Sequence, residues 1–260
     1  MISTNTHTRR PLQGVARRAL RLLISHCKDP STRSLLGKYN LPEAVSLALR
    51  THSTSEGVCH FGISVLGNLA FSNPDNRARI SQICLDDVLR SMSSYRSNAD
   101  LQCHGMLALT NLAHENDPNK RLISSRGGVS TVLDAMESHL GEEKVQRQAC
   151  WALLTISADT VAAQRAAADG AVGAVGAAMV NFVSSPDVQQ FGLWALSNVA
   201  YGSDALAKFV AKNGAPEVAQ RAVYAHGEVR EVVEKAEVLM KRIGPFIPRP
   251  AEGVAGKVGT

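Results

Sequence analysis

The chain has 260 residues, of which 45% are hydrophobic, 20% charged and only 5% aromatic. This balance is typical of a folded protein and favours helices over sheet. The net charge of +5 comes from the N-terminus, since residues 1–28 hold six basic and no acidic side chains while the remainder holds 22 basic and 23 acidic ones. A neutral body argues against a nucleic-acid surface, which needs a basic stripe to release counterions.

The N-terminal 28 residues are rich in Arg, Ser and Thr, as a mitochondrial transit peptide is. The alternative is a basic first helix that caps the fold. We predict that residues 1–12 form a flexible basic N-terminus. No apolar run is long enough to cross a bilayer of about 30 Å. The absence of a CxxC pair indicates reduced thiols. Location inside the cell is expected, in the cytoplasm or, on the transit-peptide interpretation, in the mitochondrion.

An internal repeat governs most of the chain. The segments GISVLGNLA, GMLALTNLA, ACWALLTIS and GLWALSNVA begin at Gly62, Gly105, Ala149 and Gly192, at spacings of 43, 44 and 43 residues. Weaker copies begin one period earlier and one period later. A fixed period of this length is the signature of a solenoid built from stacked helical units.

The rest of the unit repeats as well. Each apolar segment is followed by a polar turn with helix-capping residues, such as SNPDNR or NDPNKR, and by a basic residue at a nearly constant offset. A Gly or Asn then predicts the end of a short helix in the left-handed conformation, as in Gly127-Gly128-Val129. A medium helix follows. The predicted unit is therefore a short helix, a break, a medium helix and a long helix.

With three helices in a period of this length, the sequence resembles the armadillo repeat family. The resemblance is carried by the G-x-x-x-L-x-N-(L/V)-A core of the third helix and by the Gly-(Gly/Ala)-Val break. The resemblance covers about residues 13–243 and implies an all-α fold. It predicts a right-handed α-solenoid of about four full armadillo repeats with partial capping repeats at both ends. Two-helix HEAT repeats are the nearest alternative. Residues 244–260, rich in Pro and Gly, are predicted to be disordered.

Helical geometry separates two sides of the long helix. At about 100° per residue, Leu196 and Val199 fall on the side of Gly192 and define the core. Trp194 and Asn198 fall almost opposite. The same offsets align Ser64, Leu107 and Trp151 with Trp194. They align Asn68, Asn111 and Thr155 with Asn198, and Arg147 and Gln190 precede them on the same side.

The resemblance implies that the third helices line a concave groove. In the nuclear import receptors of the family, Trp and Asn ladders there grip an extended basic peptide. An amide can donate and accept at once, and Trp faces form slots for aliphatic groups. Here only Trp194 with Asn198 completes the pair, and no row of acids lines the groove, so nuclear import is not favoured. Alternatively, these Trp and Asn side chains pack on or bond to the neighbouring repeat.

No known catalytic motif is present. Cys59-His60 and Cys103-His104 are adjacent pairs whose side chains diverge on a helix, so no metal or cofactor is expected. The sequence predicts that the protein is not an enzyme. It predicts a non-catalytic adaptor or scaffold. Its partner is expected to be an extended protein segment bound in the groove. The alternative is a structural subunit of a ciliary, cytoskeletal or mitochondrial assembly, held through its ends or convex face.

Overall fold

The computed structural model describes residues 6–247, which contain fifteen α-helices, one 3₁₀ helix and no strand. The helices are α1 (Thr6–His26), α2 (Pro30–Lys38), α3 (Leu41–Thr51), α4 (Glu56–Ala70), α5 (Pro74–Ser94), α6 (Ala99–Ala113), α7 (Asp117–Ser125), α8 (Gly128–Ser138), α9 (Glu143–Ile156), α10 (Thr160–Ala168), α11 (Ala171–Asn181), α12 (Pro186–Tyr201), α13 (Asp204–Lys212), α14 (Ala215–Ala225) and α15 (Arg230–Ile243). The short 3₁₀ helix is Gly244–Phe246.

The helices form the predicted units, and the prediction of an all-α solenoid is confirmed. Short, medium and long helices follow one another in α2–α4, α7–α9, α10–α12 and α13–α15, while α1 stands alone as a long helix before the first unit. The C-terminal unit was expected to be partial but contains all three helices. The long helices α1, α4, α6, α9, α12 and α15 each pack on the next one in that order.

The bounds predicted for the two terminal segments agree only in part with the helices and core contacts of the structure. Helix α1 begins at Thr6, inside the 1–12 segment that was predicted to be flexible. Phe246 and Ile247, inside the 244–260 segment, pack against the core. Residues 1–5 and 248–260 lie outside the described residues, so the proposed division of the chain stays a prediction.

The second unit differs from the others because α5, with 21 residues, replaces both the short and the medium helix. In the other units Asn40, Gly127, Gly170 and Gly214 adopt left-handed backbone angles between the two helices, with φ from 59° to 98°. In α5 the equivalent place falls at Ile83 or Cys84, because the stretch from the N-cap Asn73 to Met92 is one residue shorter than the stretch from Asn116 to Met136. Neither residue is a Gly or Asn that would adopt the left-handed conformation readily, so the helix continues without a break.

Glycines at the long helices allow the medium helices to approach closely. A Cβ atom on Gly62 would lie 2.7 Å from Leu49, and one on Gly192 would lie 2.7 Å from Met179. Leu49 and Met179 are buried near the ends of α3 and α11. Glycine at these positions therefore permits tight packing of the two helices.

Buried glutamines close the C-terminal ends of the preceding helices, a feature that the sequence analysis missed. Gln146 is 1% exposed, and its Nε2 donates to the carbonyl oxygens of Met136 at 2.8 Å and His139 at 2.9 Å. Gln102 and Gln189 make the same pair of bonds in their own units. The last carbonyls of a helix have no partner within the helix, so each glutamine satisfies two of them.

Basic side chains bond the ends of the long helices. The guanidinium of Arg33 is buried and donates to the carbonyl oxygen of Phe71 at 2.6 Å. The equivalent buried residue of the third unit is Lys120, whose Nζ pairs instead with Asp117 at 2.7 Å. The sequence interpretation aligned the next residue, Arg121, with Arg33. Arg121 is exposed and pairs with Asp159 at 2.8 Å. Of the adjacent pair Lys120 and Arg121, only Lys120 points inward. The spacing in the sequence alone did not show which of the two would be buried.

Two histidines join α4 to α6. His60 Nε2 lies 2.9 Å from Nδ1 of His104, and that Nδ1 lies 2.8 Å from the carbonyl oxygen of Asp100. A carbonyl can only accept, so His104 Nδ1 carries the hydrogen and His60 Nε2 accepts. Burial and the His104 ring lower the pKa of His60, against a weaker opposing effect of Asp100 and Glu56. The contact therefore requires a neutral ring at His60.

We predict that Gln146→Leu lowers the free energy of unfolding by about 2 kcal/mol, because two buried hydrogen bonds to carbonyl oxygens are lost. Chemical denaturation followed by circular dichroism measures the change. Gln220→Leu, at an exposed position of α14, is the matched control and should change stability by less than about 0.5 kcal/mol. Equal effects of the two substitutions would show that the buried amide is not needed.

We also predict that stability falls as the pH drops below about 6.5. The unfolded chain then takes up a proton at His60 that the folded chain resists, because the folded pKa is lowered. The unfolding free energy, measured by urea titration on either side of that pH, should fall less in His60→Asn than in the parent. An identical pH dependence in both proteins would contradict this origin.

Candidate functional site

The stacking of the long helices fixes the predicted Asn ladder. Asn68 Nδ2 donates to the carbonyl oxygen of Ile24 at 3.3 Å, and Asn111 Nδ2 donates to that of Gly67 at 2.9 Å. Asn198 makes the same bond to Leu154 at 2.7 Å. In every case the acceptor lies 44 residues earlier, on the preceding long helix. The side of the long helices that carries Asn68, Asn111, Thr155 and Asn198 is called the long-helix face below.

These bonds use only part of each amide. An Asn side chain offers two N–H donors and an oxygen with two lone pairs. Among the described residues, the bond to the preceding helix is the one side-chain hydrogen bond of each of these three amides. Each amide is half-buried, and its oxygen and second hydrogen are left for a ligand or water.

The hydroxyl groups of Ser64 and Thr155 donate hydrogen bonds within their own helices. Ser64 Oγ donates to the carbonyl oxygen of His60 at 2.9 Å, and Thr155 Oγ1 donates to that of Trp151 at 2.9 Å. Both residues are buried. Their predicted role in ligand binding therefore depends on the remaining lone pairs of the oxygens.

The two tryptophans are partly exposed and partly covered by the next repeat. Trp151 is 39% exposed, and its ring stacks on Phe191 of α12 with centroids 5.7 Å apart. Trp194 is 38% exposed, and Nζ of Lys235 on α15 lies 3.9 Å from its ring centroid. Such a cation over an indole face is attractive. Part of each tryptophan therefore packs on the next repeat, and part is exposed and can act as an anchor.

A cavity of about 250 Å³ lies between α9 and α12 on this face. It brings together four of the predicted residues, Trp151, Thr155, Trp194 and Asn198. Its remaining lining residues are His114, Glu115, Lys120, Leu154 and Ala158. The lining is more apolar than polar and includes both indoles, so the cavity suits an apolar side chain, while its amide, carboxylate and ammonium groups can bond polar atoms beside that side chain.

The other six predicted residues do not line this cavity. They are Ser64, Asn68, Leu107, Asn111, Arg147 and Gln190. Leu107 and Gln190 are half-buried, and Arg147 is exposed with an ion pair to Asp187 at 3.2 Å. Glu115 and Lys120 were missed, because they belong to the turn and short helix after a long helix. The recurrence of such turns at the repeat period was the signal that could have located them.

The cysteines are poor nucleophiles. Burial raises the pKa of Cys150 and Cys84 to about 12, and burial raises that of Cys27 to about 11. A thiol with such a pKa stays protonated near neutral pH. Within residues 6–247, no three side chains of His, Cys, Asp or Glu come close enough to hold a metal ion. None of the helices described there combines the length and apolarity needed to cross a membrane.

Comparisons with known proteins identify the fold. No protein-family model matches the chain. No curated protein matches it either. Among solved structures it is similar to an engineered protein at 22% identity and a TM-score of 0.79, over 89% of this chain and 91% of that one. It is also similar to a designed armadillo repeat protein in complex with the peptide (KR)4, at 18% identity and a TM-score of 0.77, over 92% and 95% of the two chains.

A third similar structure comes from work on a phosphorylation switch in the interaction between cadherin and β-catenin. It matches at 15% identity with a TM-score of 0.62. The match covers 87% of this chain and 52%, about half, of that chain. At such low identities, the comparisons establish the fold alone. The chain is therefore an all-α solenoid with an armadillo-like repeat fold.

Proposed function

We propose that this protein is a non-catalytic adaptor that binds an extended segment of a partner protein along the long-helix face. The observation that carries the proposal is the pair Trp151 and Trp194, each more than a third exposed and both lining one cavity with Asn198. Tryptophan is strongly enriched among the residues that dominate binding energy at protein interfaces. Two of them beside one cavity mark it as the anchor site.

The surrounding groups suit a peptide backbone beside the anchor. Asn198 donates one hydrogen to Leu154 and keeps its oxygen for a peptide N–H. Asn111 and Asn68 present the same oxygen two and three long helices away. Such a row pairs with a main chain whatever its side chains are, so side-chain preference comes from the cavity between Trp151 and Trp194.

The fold supports this proposal without specifying the ligand. A designed protein of the same fold was solved with a peptide bound. The buried, protonated thiols supply no reactive nucleophile of their own. Binding, rather than catalysis, is the role that these features favour.

A second candidate function is suggested by the C-terminal end of the solenoid. There, α14 and α15 border an apolar cavity of about 470 Å³, lined in part by Val223, Tyr224, Val233 and Met240. Tyr224 is 94% exposed. Interior units cover this side of the helix pair with the next repeat. An assembly subunit held through its end would use this surface instead.

We predict that Trp151→Ala together with Trp194→Ala weakens partner binding by about tenfold or more, or about 1.4 kcal/mol, because the anchor cavity loses both indole walls. The measurement is affinity purification with quantitative mass spectrometry, with circular dichroism to verify folding. Tyr224→Ala is the matched control, since it removes an exposed aromatic side chain at the end of the solenoid.

The two candidate functions give opposite results in this experiment. The groove adaptor loses its partners in the double tryptophan variant and keeps them in Tyr224→Ala. An assembly subunit held through its end shows the reverse. Equal recovery from the double tryptophan variant and the parent protein would reject binding at the long-helix face.

A further inference from the structure

The charged groups of the long-helix face are distributed unevenly. The positions of Gln190, Trp194 and Tyr201 recur at each period, and α1 with its following turn places Arg17, Arg21 and Lys28 there. The bond from Asn68 to Ile24 shows that α1 stacks in the same register as the later long helices. These three basic side chains are exposed. They form the basic end of the face.

Several other charged groups of this face pair with a group of opposite charge. Arg147 pairs with Asp187 at 3.2 Å, and Arg242 pairs with Asp204 at 2.9 Å. Glu234, the acid at the position of Gln190 in the last unit, pairs with Arg230.

Among the acids at the starts of the long helices, Asp100 pairs with Lys144 at 2.8 Å, while Glu56 accepts from the neutral amide of Asn98. By contrast, among the described residues no carboxylate lies within 4.0 Å of a charged nitrogen of Arg17, Arg21 or Lys28. Within residues 6–247, two acids of the face, Glu56 and Glu115, also have no Lys or Arg partner, but they stand singly, and Glu115 lies 3.8 Å from His114. In the part of the chain that the structure describes, the one cluster of basic side chains without carboxylate partners lies at the α1 end.

An unpaired basic cluster on a binding face selects carboxylates. Arginine binds carboxylates through two parallel hydrogen bonds, and complementary charge also speeds association. A basic segment such as (KR)4 would be repelled from Arg17 and Arg21. The partner segment that fits this end of the face is therefore acidic.

The basic end and the tryptophan cavity lie a fixed distance apart. Three stacking steps lead from α1 through α4 and α6 to α9, and packed helices lie about 8–10 Å apart. The separation is therefore roughly 24–30 Å. An extended chain advances about 3.3 Å per residue, so about eight residues span it.

We propose that the ligand is an extended acidic segment in which a cluster of Asp or Glu is separated by about eight residues from an apolar anchor. The carboxylates bind Arg17, Arg21 and Lys28, and the anchor binds between Trp151 and Trp194. This inference rests on the proposed function. It adds the charge of the ligand and the distance between its two binding elements.

The test uses fluorescein-labelled peptides and fluorescence anisotropy with the full chain. Each peptide carries about four acidic residues, a Ser/Thr spacer and a Leu-Leu anchor, and each is made in both orders along the chain. A spacer of about eight residues should give affinity about tenfold or more above that with a spacer of about four, which reaches only about 13 Å. Peptides with Asn and Gln in place of Asp and Glu are the neutral controls and should bind about as weakly as the short-spacer peptide.

Charge-reversal variants locate the effect. Arg17→Glu with Arg21→Glu should remove the advantage of the acidic peptide over its neutral control. Lys212→Glu with Arg221→Glu changes the net charge equally at exposed positions of α13 and α14 and should leave the advantage intact. About 0.5 M salt should reduce the advantage in the parent protein, because it screens exposed charges beyond a few ångströms.

The outcomes separate this inference from the proposed function. Equal affinity for acidic and neutral peptides, with both weakened by Trp151→Ala and Trp194→Ala, would overturn the inference and leave the groove intact. Peptide affinity that is unchanged by Trp151→Ala and Trp194→Ala, or no peptide binding by the folded protein, would contradict the proposed function itself. A single-stranded oligonucleotide of equal charge that binds more tightly than the peptide would also overturn the inference.

Discussion

The stacking of each long helix on the one 44 residues before it is the contact on which the rest of the structure depends. A single unit cannot bury its apolar side alone, so the neighbouring unit supplies the other half of the core. Buried glutamines close the ends of the medium helices, and amides such as Asn198 bond the long helices to one another. Because the stacking is regular, side chains at equivalent positions form rows on one face.

The same regularity gives Asn198 and the tryptophans two roles. The amide nitrogen of Asn198 holds the preceding helix, while its oxygen remains available to a ligand. Trp151 rests on Phe191 but keeps more than a third of its surface exposed. Contacts with the next repeat hold each ring in place, and a pre-organised aromatic wall costs less conformational entropy when it binds. Structural and binding interpretations of these residues therefore support each other.

Much of the architecture could be predicted from the sequence because the period, the Gly and Asn breaks and the apolar spacing all depend on local rules. The fusion of two helices into α5 follows from the same rules, because this unit has no Gly or Asn at the break. The burial of Gln146 and the inward position of Lys120 could not be predicted, since they depend on which carbonyls the fold leaves without donors. For the candidate site, helical angles predicted that Trp194 and Asn198 leave the core, but the cavity with Glu115 exists only after two units stack.

Site-specific photo-crosslinking tests the central claim, that partners bind the long-helix face, most directly. A benzophenone amino acid is placed at Leu107, half-buried on that face, and separately at Leu47, exposed on α3. The account predicts crosslinks to the bound partner from position 107 and none from position 47. Crosslinks from position 47 alone would contradict it and direct attention to the surface of the medium helices.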